Sequence, residues 1–337
     1  MRSNSAVAAS PRRNAAYDAA VGPKMLYLSE EDVREFLPMR EAVGLMRSAF
    51  DALAQGGAIN QPRRRLILDT GSVLHSMAGS YLNYFGTKFY ATNARYGAHF
   101  YFVLYDAQTA KPLAWMAANH LGQIRTGAAS GYATDLLANP AAETLGIIGS
   151  GFQARTQVEA IHAVRPIKRV RVWSRSEEKR RKFAEELSTP ALPVESVATA
   201  EEAVHGAQIV VTATNSAEPV IEDAWIAPGT MINAMGSNAA RRRELPSELV
   251  RRAALVAVDS LEQAKIEAGD LILPNSWENV RELKDVGRNF DPAQITIFKS
   301  LGICVEDVAA GAFVYERALA ASKITPERFA DPNRATR

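Results

Sequence analysis

One stretch restricts the fold more than any other: TLGIIGSGFQARTQ, residues 144–157. An apolar run ends at a pair of glycines, and a helix-forming stretch follows. Gly149, Gly151 and Ala154 give the pattern G-x-G-x-x-A at the junction. Between a strand and a helix, each small residue has a steric task. The first permits a tight turn, the second lets a phosphate approach the backbone, and the third lets helix and strand pack closely. Phe152 and Gln153 open the helix, whose first N–H groups are free to meet phosphate oxygens. The same glycines would also suit a plain turn between strand and helix, so the surrounding pattern has to decide.

That pattern is strand–helix alternation. The runs TLGII, RVRVW, IVVTAT, TMINAM and ALVAVD read as strands, with helical stretches between most of them. Such alternation, from Thr144 on, predicts an α/β fold with a doubly wound parallel sheet. Residues 25–138 read differently. LSEEDVREF starts a helix with Ser29 as N-cap and Asp32 three residues on. MREAVGLMRSAFDALA follows at helical spacing and stops at Gly56 and Gly57. Then come RLIL, VLHSMA, GTKFYAT, FYFVLYD and LAWMAA, a largely antiparallel sheet with a hairpin turn at YDAQTAKP. LGQIRTGAASGYATDLLA reads as a helix. ITIFKSLGICVEDVAAGAFVYERAL reads as one long helix after a short lead-in, packing back on the first domain. Residues of about 25–120 thus read as helices followed by a largely antiparallel sheet.

Composition excludes some partners. The chain has 337 residues, is 47% hydrophobic and 23% charged, and carries a formal net charge of +2. This is ordinary for a globular enzyme and gives no basis for nucleic-acid binding. No apolar run reaches the roughly 18 residues of a membrane span. Cys304 is the sole cysteine, which fits a reducing, cytoplasmic setting and rules out an intrachain disulfide. The histidines at 75, 99, 120, 162 and 205 have no metal-ligand spacing, so no metal and no catalytic histidine are expected. Residues 1–24, rich in Ala, Ser and Arg, read as a disordered tail, with a cleaved transit peptide as the lesser alternative.

The second strand of the alternating region helps choose the nucleotide. An NAD site usually places Asp or Glu at the end of that strand, beside the ribose 2′-hydroxyl. Here the position holds Ser174, followed by Arg175. A carboxylate would repel a 2′-phosphate, whereas serine and arginine can accept one. NADP(H) is therefore favoured and NAD(H) stays possible. Thr212, Thr214 and Asn215 follow a strand where adenosine normally lies.

Seven ordered stretches carry a family resemblance: IRTGAASGYAT, IIGSGFQARTQVEA, IVVTATNSAEPV, PGTMINAMGSN, ELPSELV, VAVDSLEQA and ITIFKSLGICVEDVAA. Together they resemble the ornithine cyclodeaminase/mu-crystallin family, which also holds archaeal-type alanine dehydrogenases and ketimine reductases. The resemblance implies a Rossmann dinucleotide-binding domain over residues 139–303 and an α+β substrate and dimerisation domain built from both chain ends, residues 25–138 plus 304–330. It also implies a homodimer that moves hydride between nicotinamide and the α-carbon of an amino or imino acid. It implies a carboxylate clamp of Arg64, Lys88 and Arg125, with Arg63 and Arg65 flanking the first. An arginine fork matches a carboxylate bidentately, and Lys88 and Arg125 stand in otherwise uncharged segments. Thr126 neighbours the clamp. Lys88 could also donate a proton, since burial and neighbouring cations tune a lysine for that task. Ser300, Leu301 and Gly302 would lie near the nicotinamide, and Asp307 would cap the terminal helix.

One departure bears on the chemistry. Cyclodeaminases and alanine dehydrogenases of the family carry Asp two residues after the glycine matching Gly236. Here that residue is Asn238, which can hydrogen-bond but cannot take a proton at neutral pH. Cyclodeamination needs an amine deprotonated and ammonia expelled; reduction of a preformed imine needs less. The expected activity is thus an NAD(P)H-dependent reductase of α-imino acids. Ornithine cyclodeaminase with recycled NAD is the alternative enzyme, and a non-catalytic, crystallin-like NADP-binding protein the alternative class.

Overall fold

The computed structural model describes residues 25–288 and 290–321. The expected tail (1–24) and residues 322–330 of the expected second domain lie outside them.

The first sheet forms from β1 (Leu26–Leu28), β2 (Ala58–Ile67), β3 (Val73–Tyr81), β4 (Tyr84–Asn93), β5 (Gly97–Asp106) and β6 (Pro112–Ala117). β2 to β6 are an antiparallel meander. β1, absent from the sequence expectation, closes the order β1-β6-β5-β4-β3-β2 by pairing parallel with β6. Between β1 and β2 lie α1 (Glu30–Phe36) and α2 (Met39–Ala54). The capping box at α1 is present: Asp32 N–H donates to Ser29 Oγ at 3.2 Å, and Ser29 N–H to Asp32 Oδ2 at 2.8 Å.

α3 (Asn119–Leu137) links the two sheets and is buried almost all round. Its sequence permits this because small residues let neighbours approach. A Cβ on Gly127 would meet the Thr156 carbonyl oxygen at 2.6 Å, so α3 packs directly on α4 (Phe152–Val164). This places the end of one sheet's chemistry against the phosphate-facing turn of the other.

The second sheet has eight strands, all parallel: β7 (Thr144–Ile148), β8 (Arg169–Trp173), β9 (Val194–Ser196), β10 (Ile209–Thr212), β11 (Met231–Ala234), β12 (Leu255–Val258), β13 (Val280–Glu282) and β14 (Thr296–Lys299). Their order is β13-β12-β14-β11-β10-β7-β8-β9. β8 and β10 flank β7 on opposite sides, so the order reverses at β7, and ligands of such sheets bind at that reversal. The remaining helices are α5 (Glu177–Leu187), α6 (Ala200–Val204), α7 (Ser247–Arg252), α8 (Leu261–Glu267), α9 (Gly269–Ile272) and α10 (Cys304–Ala320).

The single-helix expectation for ITIFKSLGICVEDVAA needs correction. Its lead-in is β14, a central strand inserted between β11 and β12, and the helix begins only at Cys304. All four β14 residues are buried, as a strand covered on both faces requires. α10 then returns to the first sheet. A Cβ on Gly79 of β3 would meet Val305 N at 3.1 Å, and one on Gly311 would meet the Phe102 ring of β5 at 2.6 Å.

Candidate active site

Two cavities lie at the carboxyl ends of the parallel strands. The first, of about 810 Å³, is walled by the β7–α4 turn, the end of β8 and the loop after β10. Gly149 has φ +110°, and a Cβ there would meet the Ala213 carbonyl oxygen at 2.4 Å, so only glycine makes this turn. A Cβ on Gly151 would meet nothing within 4 Å, which leaves open space over the N-terminus of α4. No side chain caps that end, so its N–H groups face the cavity rather than a protein partner. This cradle fits a diphosphate. Ala154 is fully buried, in keeping with helix–strand contact.

Ser174, Arg175, Ser176 and Lys179 line the same cavity. Ser174 Oγ lies 2.8 Å from Ser150 Oγ, and Arg180 Nη1 donates to the Ser174 carbonyl at 3.0 Å. Thr214 and Asn215 also line it. Thr212 does not: it is fully buried and its hydroxyl donates to Glu244 Oε2 at 3.1 Å.

The second cavity, of about 490 Å³, opens between the inner face of the first sheet and the ends of β11 and β14. Lys88, Arg125, Thr126, Phe152 and Gln153 line it, as do Gly236, Asn238 and the Ser300–Gly302 segment. Lys88 Nζ donates to Asp307 Oδ1 at 2.9 Å. Arg125 Nε donates to the same oxygen at 3.1 Å, and its Nη1 to Glu306 Oε2 at 2.7 Å. Asp307 thus holds both cations in place, a larger role than the helix cap expected of it. Burial pushes the Lys88 ammonium below the usual lysine range, Asp307 opposes that, and Arg125 adds to it. Burial pushes the Glu306 carboxyl up to about 8, against the pull of Arg125, with Asp259 and Asp307 adding to the rise.

The third cation is Arg63, not Arg64. β2 carries a register shift between Gln61 and Arg64, where Pro62 and Arg63 are both buried. The bulge inverts the alternation that counting from the glutamine would suggest. Arg63 lines the second cavity and Arg64 is exposed. Arg63 binds Glu267, and its Nη2 donates to the carbonyls of Leu301 at 2.9 Å and Gly302 at 3.0 Å. Arg65 Nη2 donates to Glu267 Oε2 at 2.6 Å and to the Asn238 carbonyl at 2.9 Å. The Asn238 loop is therefore tied to the clamp through its backbone.

Sequence reading also missed His75, Tyr90 and Thr92, which share the Lys88 face of the sheet. Strict alternation from Lys88 along β4 marks Tyr90 and Thr92, so a signal existed. His75 stacks on Tyr90 at 4.2 Å and has Nε2 3.0 Å from Thr92 Oγ1. Burial, then Arg65 and Arg63, lower its pKa to about 4, so it is neutral at physiological pH.

A reversing parallel sheet with a diphosphate cradle, opening onto three buried cations, has the architecture of a dinucleotide-binding enzyme. The chain belongs to the ornithine cyclodeaminase/mu-crystallin family, whose model matches residues 24–322. It is 40% identical over 231 residues to a Delta(1)-pyrroline-2-carboxylate reductase of Bacillus cereus, covering 64% of this chain and 70% of that one. Among solved structures, Thermococcus litoralis Delta(1)-pyrroline-2-carboxylate reductase, in complex with NADH and L-proline, matches with TM-score 0.83 and 32% identity over 88% of this chain and 98% of that one. An archaeal alanine dehydrogenase dimer with bound NAD matches with TM-score 0.85 and 30% identity over 91% of this chain and 99% of that one.

Proposed function

We propose that this chain is an NAD(P)H-dependent reductase of α-imino acids. The observation that carries the reading is the convergence of Arg63, Lys88 and Arg125 on a cavity that no carboxylate lines among the described residues. Glu267, Asp307 and Glu306 pair these cations without lining the cavity, so an α-carboxylate there would meet N–H donors and a cationic ω-ammonium would find no acid. This weighs against ornithine as substrate, as does Asn238. The relatives named as pyrroline-2-carboxylate reductases support an imine substrate.

The reduced nicotinamide, when bound, supplies the hydride. The protein's part is to hold and to protonate. Arg63 and Arg125 orient the substrate carboxylate, and with it the planar imine carbon. Lys88, held by Asp307, carries a proton whose release burial favours, and it is the proton source at the imine nitrogen.

Ser174, Arg175 and Lys179 support NADPH over NADH, since they offer donors and positive charge at the ribose end. A homodimer belongs to the same reading. The outer face of the first sheet exposes Ile59 (65%), Leu66 (59%) and Leu74 (45%), an apolar surface that a second copy would cover.

The test is spectrophotometric. Purified protein is mixed with NADPH or NADH and pyrroline- and piperideine-2-carboxylates, or with pyruvate or glyoxylate plus amines. Imine-dependent loss of absorbance of the reduced cofactor is expected, faster with NADPH. Release of ammonia and proline from L-ornithine with NAD, without imine reduction, would overturn the reading.

A further inference from the structure

Behind both cavities lies a buried carboxylate, the first residue of ELPSELV, that takes no part in the clamp. Glu244 is fully buried in the segment before α7. Its Oε1 accepts from Thr214 N–H and Thr214 Oγ1, each at 2.7 Å. Its Oε2 accepts from Gly236 N–H at 2.7 Å and from Thr212 Oγ1 at 3.1 Å. Thr214 lies after β10 and lines the first cavity; Gly236 lies after β11 and lines the second. One side chain therefore joins the walls of the two halves of the dinucleotide site.

The two loops touch where Glu244 grips them. A Cβ on Gly236 would sit 2.2 Å from the Thr214 carbonyl oxygen and 2.6 Å from Glu244 Oε1. The carboxylate is itself anchored. Asp270 Oδ1 accepts from the backbone N–H groups of Glu244 at 2.7 Å and Leu245 at 2.9 Å. Asp270 Oδ2 pairs with Lys299 Nζ at 2.8 Å, and that ammonium also donates to the Ser237 carbonyl at 2.6 Å. Lys299 ends β14, directly before the Ser300–Gly302 wall. The cluster thus ties the ends of β10, β11 and β14 to one another.

We propose that Glu244 is a positioning residue for the nicotinamide dinucleotide, fixing the spacing between the wall of the first cavity and the wall of the second. This rests on the dinucleotide reading above. Two backbone N–H donors must be met by a group that only accepts. A carboxylate does so with both oxygens, whereas an amide turns an NH₂ toward one of them. Glutamine at 244 would fill the same space and push one loop away. A dinucleotide spanning both cavities would feel that displacement directly, while the clamp on the first sheet would feel it only through the link from Asn238 to Arg65.

The test uses full-length protein carrying Glu244→Gln, Glu244→Asp or Thr212→Val, each examined by circular dichroism. NADPH affinity is read from energy transfer between protein tryptophans and the bound nicotinamide, and imine KM is read at saturating NADPH. Glutamine removes one charge-assisted hydrogen bond and sets its NH₂ against a backbone N–H. Glu244→Gln is therefore expected to raise the Kd for NADPH about 10-fold or more. Imine KM at saturating NADPH should rise less than the Kd for NADPH, because Arg63, Lys88 and Arg125 keep their own carboxylate partners and meet the displaced loop only through Arg65. Glu244→Asp should recover part of the affinity. Thr212→Val lines neither cavity and removes one bond to Glu244, so it gives a smaller rise of about threefold even if the glutamine variant does not fold. Wild-type Kd in folded Glu244→Gln, or a raised imine KM at unchanged Kd, overturns the proposal. If the wild-type chain binds neither NADPH nor NADH, the dinucleotide reading itself falls, which is a different result.

Discussion

Two adjacent arginines on β2 give the sharpest test of the clamp. Arg63→Lys keeps the positive charge in the second cavity and removes the planar fork. Arg63 now binds Glu267 and donates to two backbone carbonyls, with a side chain 3% exposed. A lysine can reach Glu267 but cannot span the same set and still present two donors to a carboxylate. Losing one such charge-assisted interaction with the substrate costs about 1.5–3 kcal/mol in transition-state binding. At about 1.36 kcal/mol per tenfold, kcat/KM for the imine falls roughly 10- to 150-fold. The lost carbonyl bonds cost a further ~1–3 kcal/mol of stability, visible in the melting temperature. Arg64→Ala is the control. Its side chain lies on the outer face, so kcat/KM should change less than about twofold and stability by about 0.5 kcal/mol or less. The assay is steady-state imine reduction at saturating NADPH, with the oligomeric state of each variant checked by light scattering. Were Arg64→Ala to lower kcat/KM as far as Arg63→Lys while its oligomeric state stayed native, the bulge argument would be wrong.

Other expectations follow from the same geometry. Ser174→Asp with Arg175→Ser should reverse the cofactor preference by about 10- to 100-fold, because a charge-assisted contact to a 2′-phosphate gives way to repulsion; equal NADPH and NADH kinetics in both proteins would refute it. Glu306 has a folded pKa of about 8, raised above its ordinary 4.5, so it stays neutral in the folded protein while the unfolded chain ionises. Its stabilising contribution is full below pH 4.5 and is lost as pH rises through about 8. Glu306→Gln should flatten the fall in melting temperature over about pH 4.5–8, and parallel curves for the two proteins would count against the assignment. Gly127→Val should force α3 off α4, where even a Cβ would lie 2.6 Å from the Thr156 carbonyl oxygen. A loss of about 1–3 kcal/mol or more in chemical denaturation is expected, and a wild-type midpoint would contradict it.

The sequence by itself determined whatever is local or periodic. The G-x-G-x-x-A turn is legible because steric demands at Gly149 act between residues a few positions apart. The capping box at Ser29 and the alternation of β3 to β5 are legible for the same reason. Lys88 and Arg125 were visible as charges in uncharged surroundings. What the tertiary structure alone decided are the relations between distant residues. Lys88 and Asp307 lie 219 positions apart, and Arg63 and Glu267 lie 204 apart. No local pattern records such pairs, because chain topology brings them together. The choice between Arg63 and Arg64 turned on one bulge that inverts every later side chain of β2. The insertion of β14 between β11 and β12 was equally hidden, since four buried residues read alike as strand or as helix lead-in. Glu244 heads the ELPSELV stretch, but no local pattern records its partners. Its role comes from the backbone N–H groups of two loops that face one another only after the sheet has formed.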